Sequence, residues 1–74
     1  MKKSIYKIVK MDCPSEEQLI RMTLNDIKQI QHLNFDIPNR KLEVFHLSDV
    51  EPITEKINSL NFDSSLLETK TTSE

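Results

Sequence analysis

The chain has 74 residues, a formal net charge of −2 and a hydrophobic fraction of 36%. A chain of this length and composition can form one small domain with a thin core. This acidic balance excludes a surface built to attract nucleic acid or anionic lipid, and no apolar run approaches the roughly 20 residues that span a bilayer. We therefore expect a cytoplasmic monomer that does not bind nucleic acid and does not insert into a membrane.

The first half of the chain predicts a strand followed by a helix. The segment SIYKIVK, residues 4–10, alternates apolar and polar side chains as a strand with one covered face does. From Ser15 to about Gln29, apolar residues recur every three or four positions, which predicts an amphipathic helix. Pro14 and the acidic residues after it are helix-start signals. The helix should therefore begin within the stretch MDCPSEE.

The second half predicts two strands, a second helix and a closing strand. Two alternating apolar runs on either side of the PNRK turn predict a β-hairpin. The segment SDVEPITEKINSL predicts a helix with Ser48 or Asp49 as its N-cap. Phe62, Leu66 and Leu67 supply a short last strand, and the polar segment TKTTSE should fray.

This order of elements is typical of a ferredoxin-like α+β sandwich, in which two helices cover one face of a four-stranded antiparallel sheet. We assign residues 1–70 to this domain and 71–74 to a polar tail or the start of a linker. Glycine is absent, so backbone positions with positive φ must fall to other residues. Asn39, Asn61 and Asp63 are the candidates.

Cys13 is the only cysteine and lies where the first strand gives way to the first helix. It cannot form an internal disulfide, so its thiol should stay reduced and available. The positive end of a helix macrodipole stabilises a thiolate, which can bind a metal or act as a nucleophile. A nucleophile needs a nearby base or second cysteine, whereas His32 and His46 lie on other elements. We therefore expect no enzymatic activity.

Metal binding fits the stretch better. Asp12, Cys13 and Glu16 lie within one loop and one helical turn, so their side chains can converge on a single ion. Mixed sulfur and oxygen donors suit Zn²⁺, with Cd²⁺ and Co²⁺ as related ions, whereas Cu⁺ prefers paired sulfur ligands. Three ligands leave a fourth position open, and Glu17 is an alternative or supporting ligand. Simpler roles exist for these residues: a buried apolar cysteine, first-turn acids and a turn aspartate.

The stretch KMDCPSEE, placed between an alternating strand and an amphipathic helix, resembles the heavy-metal-associated (HMA) domain, whose motif is Gly-Met-x-Cys-x-x-Cys. The resemblance covers about residues 3–68 and includes Ile20 and Leu24 at helix-core positions. Two residues depart from the motif. Lys10 stands where the family has glycine, and Glu16 stands where it has the second cysteine.

The resemblance implies a metallochaperone, or the cytosolic metal-binding module of a cation-exporting membrane protein. The departure at Glu16 matches the zinc exporters of the family, where glutamate replaces the second cysteine and the residue before the first cysteine also binds. Asp12, Cys13 and Glu16 would then bind zinc, and Met11 would be a buried support. The partner would be a membrane cation transporter, in the same chain or separate. The alternative is a metal-free member that works as an interaction or regulatory domain.

Overall fold

The computed structural model describes residues 1–71, which contain four strands and two helices. In chain order these are β1 (Lys2–Ile8), α1 (Pro14–Leu24), β2 (Ile30–Asp36), β3 (Lys41–His46), α2 (Glu51–Asn58) and β4 (Ser64–Thr71). The strands form one antiparallel sheet in the order β2-β3-β1-β4. Both helices pack on one face of this sheet. The fold is the ferredoxin-like α+β sandwich that the sequence predicts.

The core lies between the helix-facing side of the two central strands and the apolar stripes of the helices. Its buried residues are Tyr6, Ile8, Met11, Ile20, Leu24, Leu42, Val44, Ile53 and Ile57. The hydroxyl of Tyr6 is 2.7 Å from Oγ1 of Thr54, which ties α2 to the central strand. Burial raises the pKa of Tyr6, and the bond to Thr54 partly opposes that rise. Strand β1 pairs with β3 on one side and with β4 on the other, and the loop toward α1 follows its last residue, Ile8.

Helix α1 is shorter than its apolar pattern predicts, because it ends at Leu24 and not near Gln29. Asn25 and Asp26 follow, and both residue types are weak helix formers that compete for backbone hydrogen bonds. The chain continues in a turn, in which the backbone N–H of Ile27 donates to the carbonyl of Leu24 at 3.0 Å. Ile27 still packs against the core, which explains why it matched the helical pattern.

The predicted N-cap of α2 at Ser48 or Asp49 is wrong, since the N-cap is Val50 and no side chain caps the helix there. Gln29 binds both of the expected residues instead. Its Oε1 accepts a hydrogen bond from the backbone N–H of Ser48 at 2.7 Å, and its Nε2 donates to the carbonyl of Asp49 at 2.8 Å. A side chain from the start of the hairpin therefore anchors the segment that leads into α2.

Positive φ falls at Arg40, Asn61 and Asp63, with values of 55°, 58° and 59°. The prediction is confirmed for Asn61 and Asp63 and wrong for Asn39. Asn39 is held in its turn by Asp36, whose Oδ2 accepts a 2.9 Å hydrogen bond from Nδ2 of Asn39. The left-handed conformation lies one position further along the chain, at Arg40.

Strand β4 extends further along the chain than expected, to Thr71. Thr69, Lys70 and Thr71 pair with Ser4, Lys3 and Lys2 of β1, so the expectation that TKTTSE frays is wrong for these residues. The rest of that segment, 72–74, lies outside the described residues.

Within the described residues, neither helix is long and apolar enough to cross a membrane.

Candidate functional site

The loop between β1 and α1 is fastened to the segment that precedes β4. The backbone N–H of Val9 donates to the carbonyl of Asp63 at 3.2 Å, and that of Lys10 donates to the carbonyl of Phe62 at 3.0 Å. Met11 is fully buried in the core beneath the loop, as the resemblance to the HMA domain implied. The residues that follow Met11 are therefore presented on a fixed support.

Cys13 is the N-cap residue of α1. Its backbone is extended, with φ of −149° and ψ of 163°, and Pro14 occupies the first helical position. Proline suits that position because its fixed φ fits a helix and its missing N–H would have no helical partner. The side chain of Cys13 makes no capping hydrogen bond and is half-buried. Its sulfur is thus left for contacts with neighbouring side chains.

Asp12, Cys13 and Glu16 come together as the sequence predicts. The potential ligand atoms of the three residues all lie within 4.8 Å of one another, with Asp12 exposed and the other two half-buried. The thiol of Cys13 donates a 2.8 Å hydrogen bond to Oε1 of Glu16. Ser15, which the Cys-x-x-Glu spacing does not single out, also belongs to this cluster. Its Oγ is 2.8 Å from the sulfur and donates to Oε2 of Glu16 at 3.0 Å.

These hydrogen bonds stabilise the ionised form of Glu16. They hold its pKa below the ordinary value, the largest cause being the bond from Cys13, followed by the bond from Ser15 and by Asp12. A slight desolvation acts in the opposite direction. The result is an ionised carboxylate beside the only thiol of the chain.

Glu17 lies apart from this cluster. Its Oε2 accepts a 3.0 Å hydrogen bond from Nε of Arg21, one helical turn further along. The pair is of the i,i+4 type that stabilises exposed helices by a few tenths of a kcal/mol, about 0.3–0.5. This pair is the contact expected of a charged residue on the helix surface, and the cluster of Asp12, Cys13 and Glu16 does not include Glu17.

The two histidines lie on other elements, as expected. His32 is exposed, with its ring 5.7 Å from that of Phe45. His46 is fully buried and pairs with Lys2 at the start of β1, whereas the candidate site follows the end of that strand. Six strand residues at about 3.3 Å each put roughly 20 Å between the two places. His46 is therefore not a ligand of this site.

The three side chains together offer one sulfur and two carboxylates as donors. A mixed set of this kind suits a divalent ion of borderline hardness. Cu⁺ prefers a pair of soft sulfur ligands, and Cys13 is the only cysteine of the chain. The exposed position of Asp12 leaves one side of the cluster open to solvent, so an ion held there could be reached by a further ligand.

Several solved structures share the fold. The yeast copper transporter domain Ccc2a is 18% identical with a TM-score of 0.82, over 92% of this chain and 97% of that one. A copper-binding domain from HMA7, a P-type ATPase, is 18% identical with a TM-score of 0.80, over 96% of this chain and 100% of that one. The Atx1-Cu(I)-Ccc2a complex matches at 20% identity and a TM-score of 0.81, over 92% and 97%. No family model and no curated protein matches the sequence.

Proposed function

We propose that this chain is an HMA-type module that binds a divalent metal ion through Asp12, Cys13 and Glu16 and passes it to a partner. The observation that carries the proposal is the convergence of these three side chains within 4.8 Å at the start of α1. Their position in a fold shared with metal-binding domains supports it. Zn²⁺ is the proposed ion, with Cd²⁺ or Co²⁺ as substitutes of related chemistry.

Zinc is proposed although the similar structures are described as copper-binding. The reason is the donor set of this chain, which has a single cysteine. A two-coordinate site for Cu⁺ would need a second sulfur, and the corresponding position holds Glu16. A carboxylate is a hard ligand that favours a divalent ion over Cu⁺. Glu16 therefore distinguishes this site from one built for copper.

Transfer of the ion, and no chemical reaction, is the proposed activity. Three protein ligands leave a fourth coordination position open, and an incoming ligand from a partner could enter there. One of the structures with this fold is a complex of two proteins with Cu(I), which supports exchange between partners. The proposed partner is a membrane cation transporter, to which this domain is joined or binds from the cytoplasm.

The experiment is a zinc titration by calorimetry on the reduced wild-type protein and on Cys13→Ser. We expect one ion per wild-type chain and a large loss of affinity in Cys13→Ser, because the thiolate is the strongest of the three ligands. Ser65→Ala, at an exposed position of β4, is the matched control and should bind like wild type. Wild-type protein that takes up no zinc would refute the proposal and leave a metal-free interaction domain as the remaining function.

A further inference from the structure

Ser15 contacts two of the three proposed ligands. Its Oγ lies 2.8 Å from the sulfur of Cys13 and 3.0 Å from Oε2 of Glu16. The thiol of Cys13 in turn lies 2.8 Å from Oε1 of the same carboxylate. The two oxygens of Glu16 therefore have different partners: one faces the sulfur and the other faces the hydroxyl of Ser15.

We propose that Ser15 is a positioning residue of the metal site, whose hydroxyl holds Oε2 of Glu16 and leaves Oε1 and the sulfur of Cys13 to face the cation. This inference rests on the proposed function and names a residue that tunes it. Ser15 is not itself a ligand, because a neutral hydroxyl is a weak donor beside a thiolate and a carboxylate.

The hydrogen bonds of the cluster support this division of roles. A hydroxyl has one proton to donate, and that of Ser15 points to Oε2, while the thiol proton of Cys13 points to Oε1. A cation held here would be bound by the thiolate of Cys13, with the thiol proton released to solvent, and by Oε1 of Glu16. The bond from Ser15 to Oε2 does not have to break.

The consequence is a glutamate that binds the ion through one oxygen. A carboxylate that binds through both oxygens is typical of larger ions with six or more ligands, such as Ca²⁺. A single oxygen suits the four-coordinate geometry that Zn²⁺ prefers. Ser15 would therefore favour a four-coordinate ion and keep the fourth position free for exchange.

The test is a Co²⁺ titration followed by visible absorption, on the full reduced chain and on Ser15→Ala and Ser15→Thr. Removal of a group that orients a ligand commonly weakens metal binding 10- to 100-fold, and we expect about tenfold for Ser15→Ala. We also expect weaker d–d bands in Ser15→Ala, since Glu16 is then free to bind through both oxygens and raise the coordination number. Ser15→Thr keeps the hydroxyl and should restore both the affinity and the band intensity.

The outcomes separate this inference from the proposed function. Circular dichroism and thermal unfolding of each metal-free variant establish that it is folded. If Ser15→Ala matches wild type in affinity and spectrum while wild type shows a thiolate-to-cobalt band, the role of Ser15 is refuted and the metal site stands. If Ser15→Thr loses as much as Ser15→Ala, the hydroxyl is not the cause and the inference also fails. A wild-type protein without the thiolate band would refute the metal site itself.

Discussion

Replacing His46 should destabilise the fold without affecting the metal site. The imidazole is fully buried and makes two hydrogen bonds, from Nδ1 to the carbonyl of Ser48 at 2.8 Å and between Nε2 and Oγ of Ser4 at 2.7 Å. A carbonyl only accepts, so Nδ1 carries the hydrogen, and in the neutral ring Nε2 accepts from Ser4. Ser4 is also 3.0 Å from the hydroxyl of Thr69. The network thus joins β3, β1 and β4.

The cost can be worked out from these bonds. Each is worth about 1 kcal/mol, so His46→Leu and Ser4→Ala, which each remove two bonds, should each lower the free energy of unfolding by about 2 kcal/mol. Because the bond between His46 and Ser4 is counted in both variants, the double variant should lose about 1 kcal/mol less than their sum. Any gain in stability from burying the leucine is present both in His46→Leu and in the double variant, so it cancels when the double variant is compared with the sum of the single variants.

Urea unfolding of the wild-type protein, the two single variants and the double variant measures this coupling. If the losses in unfolding free energy of the two single variants sum to that of the double variant within about 0.3 kcal/mol, the bond between His46 and Ser4 is refuted. The zinc affinity of folded His46→Leu should stay within about twofold of wild type, because the site lies far from this network and shares no partner with it.

Two further predictions concern Glu16. Glu16→Cys creates a pair of cysteines at the spacing of the HMA motif and should strongly raise the affinity for Cu⁺. Competition with a Cu⁺ chelator measures this affinity. An unchanged Cu⁺ affinity would contradict the assignment of metal selectivity to this position. The pKa of Glu16 is lower in the folded chain than its ordinary value of 4.5, so between the two pKa values the unfolded chain binds more protons than the folded one. The ionised Glu16 therefore stabilises the fold fully above the ordinary value, and this stabilisation is lost as the pH falls through the folded pKa. Urea unfolding at about pH 6 and about pH 3 should show a smaller acid destabilisation in Glu16→Gln than in wild type, and an equal loss would show that Glu16 is not the cause.

The sequence predicts the candidate cluster well because its members are close neighbours in the chain. Pro14 and the acidic first turn fix where α1 begins, and a helix start at Cys13 places the residue three positions later, Glu16, over the same turn. The contact between sulfur and carboxylate follows from that local geometry. Ser15 was missed because the Cys-x-x-Glu spacing gives no sign of which way an intervening side chain turns.

The features that could not be predicted depend on residues far apart in the sequence. The burial of His46 depends on Ser4, which is 42 positions away. The segment before α2 is bound by Gln29, whose side chain contacts the backbone 19 and 20 positions later. Local patterns contain no information about such partners.

The most direct test of the metal site is X-ray absorption at the zinc edge of the reduced, zinc-loaded protein. We predict one sulfur neighbour at about 2.3 Å and the remaining neighbours as oxygen at about 2.0–2.2 Å, which are the distances of thiolate and carboxylate ligands. Cys13→Ser should remove the sulfur shell. Two or more sulfurs per zinc, or a shell of oxygen or nitrogen alone in the wild-type protein, would contradict a site built from Asp12, Cys13 and Glu16 of one chain.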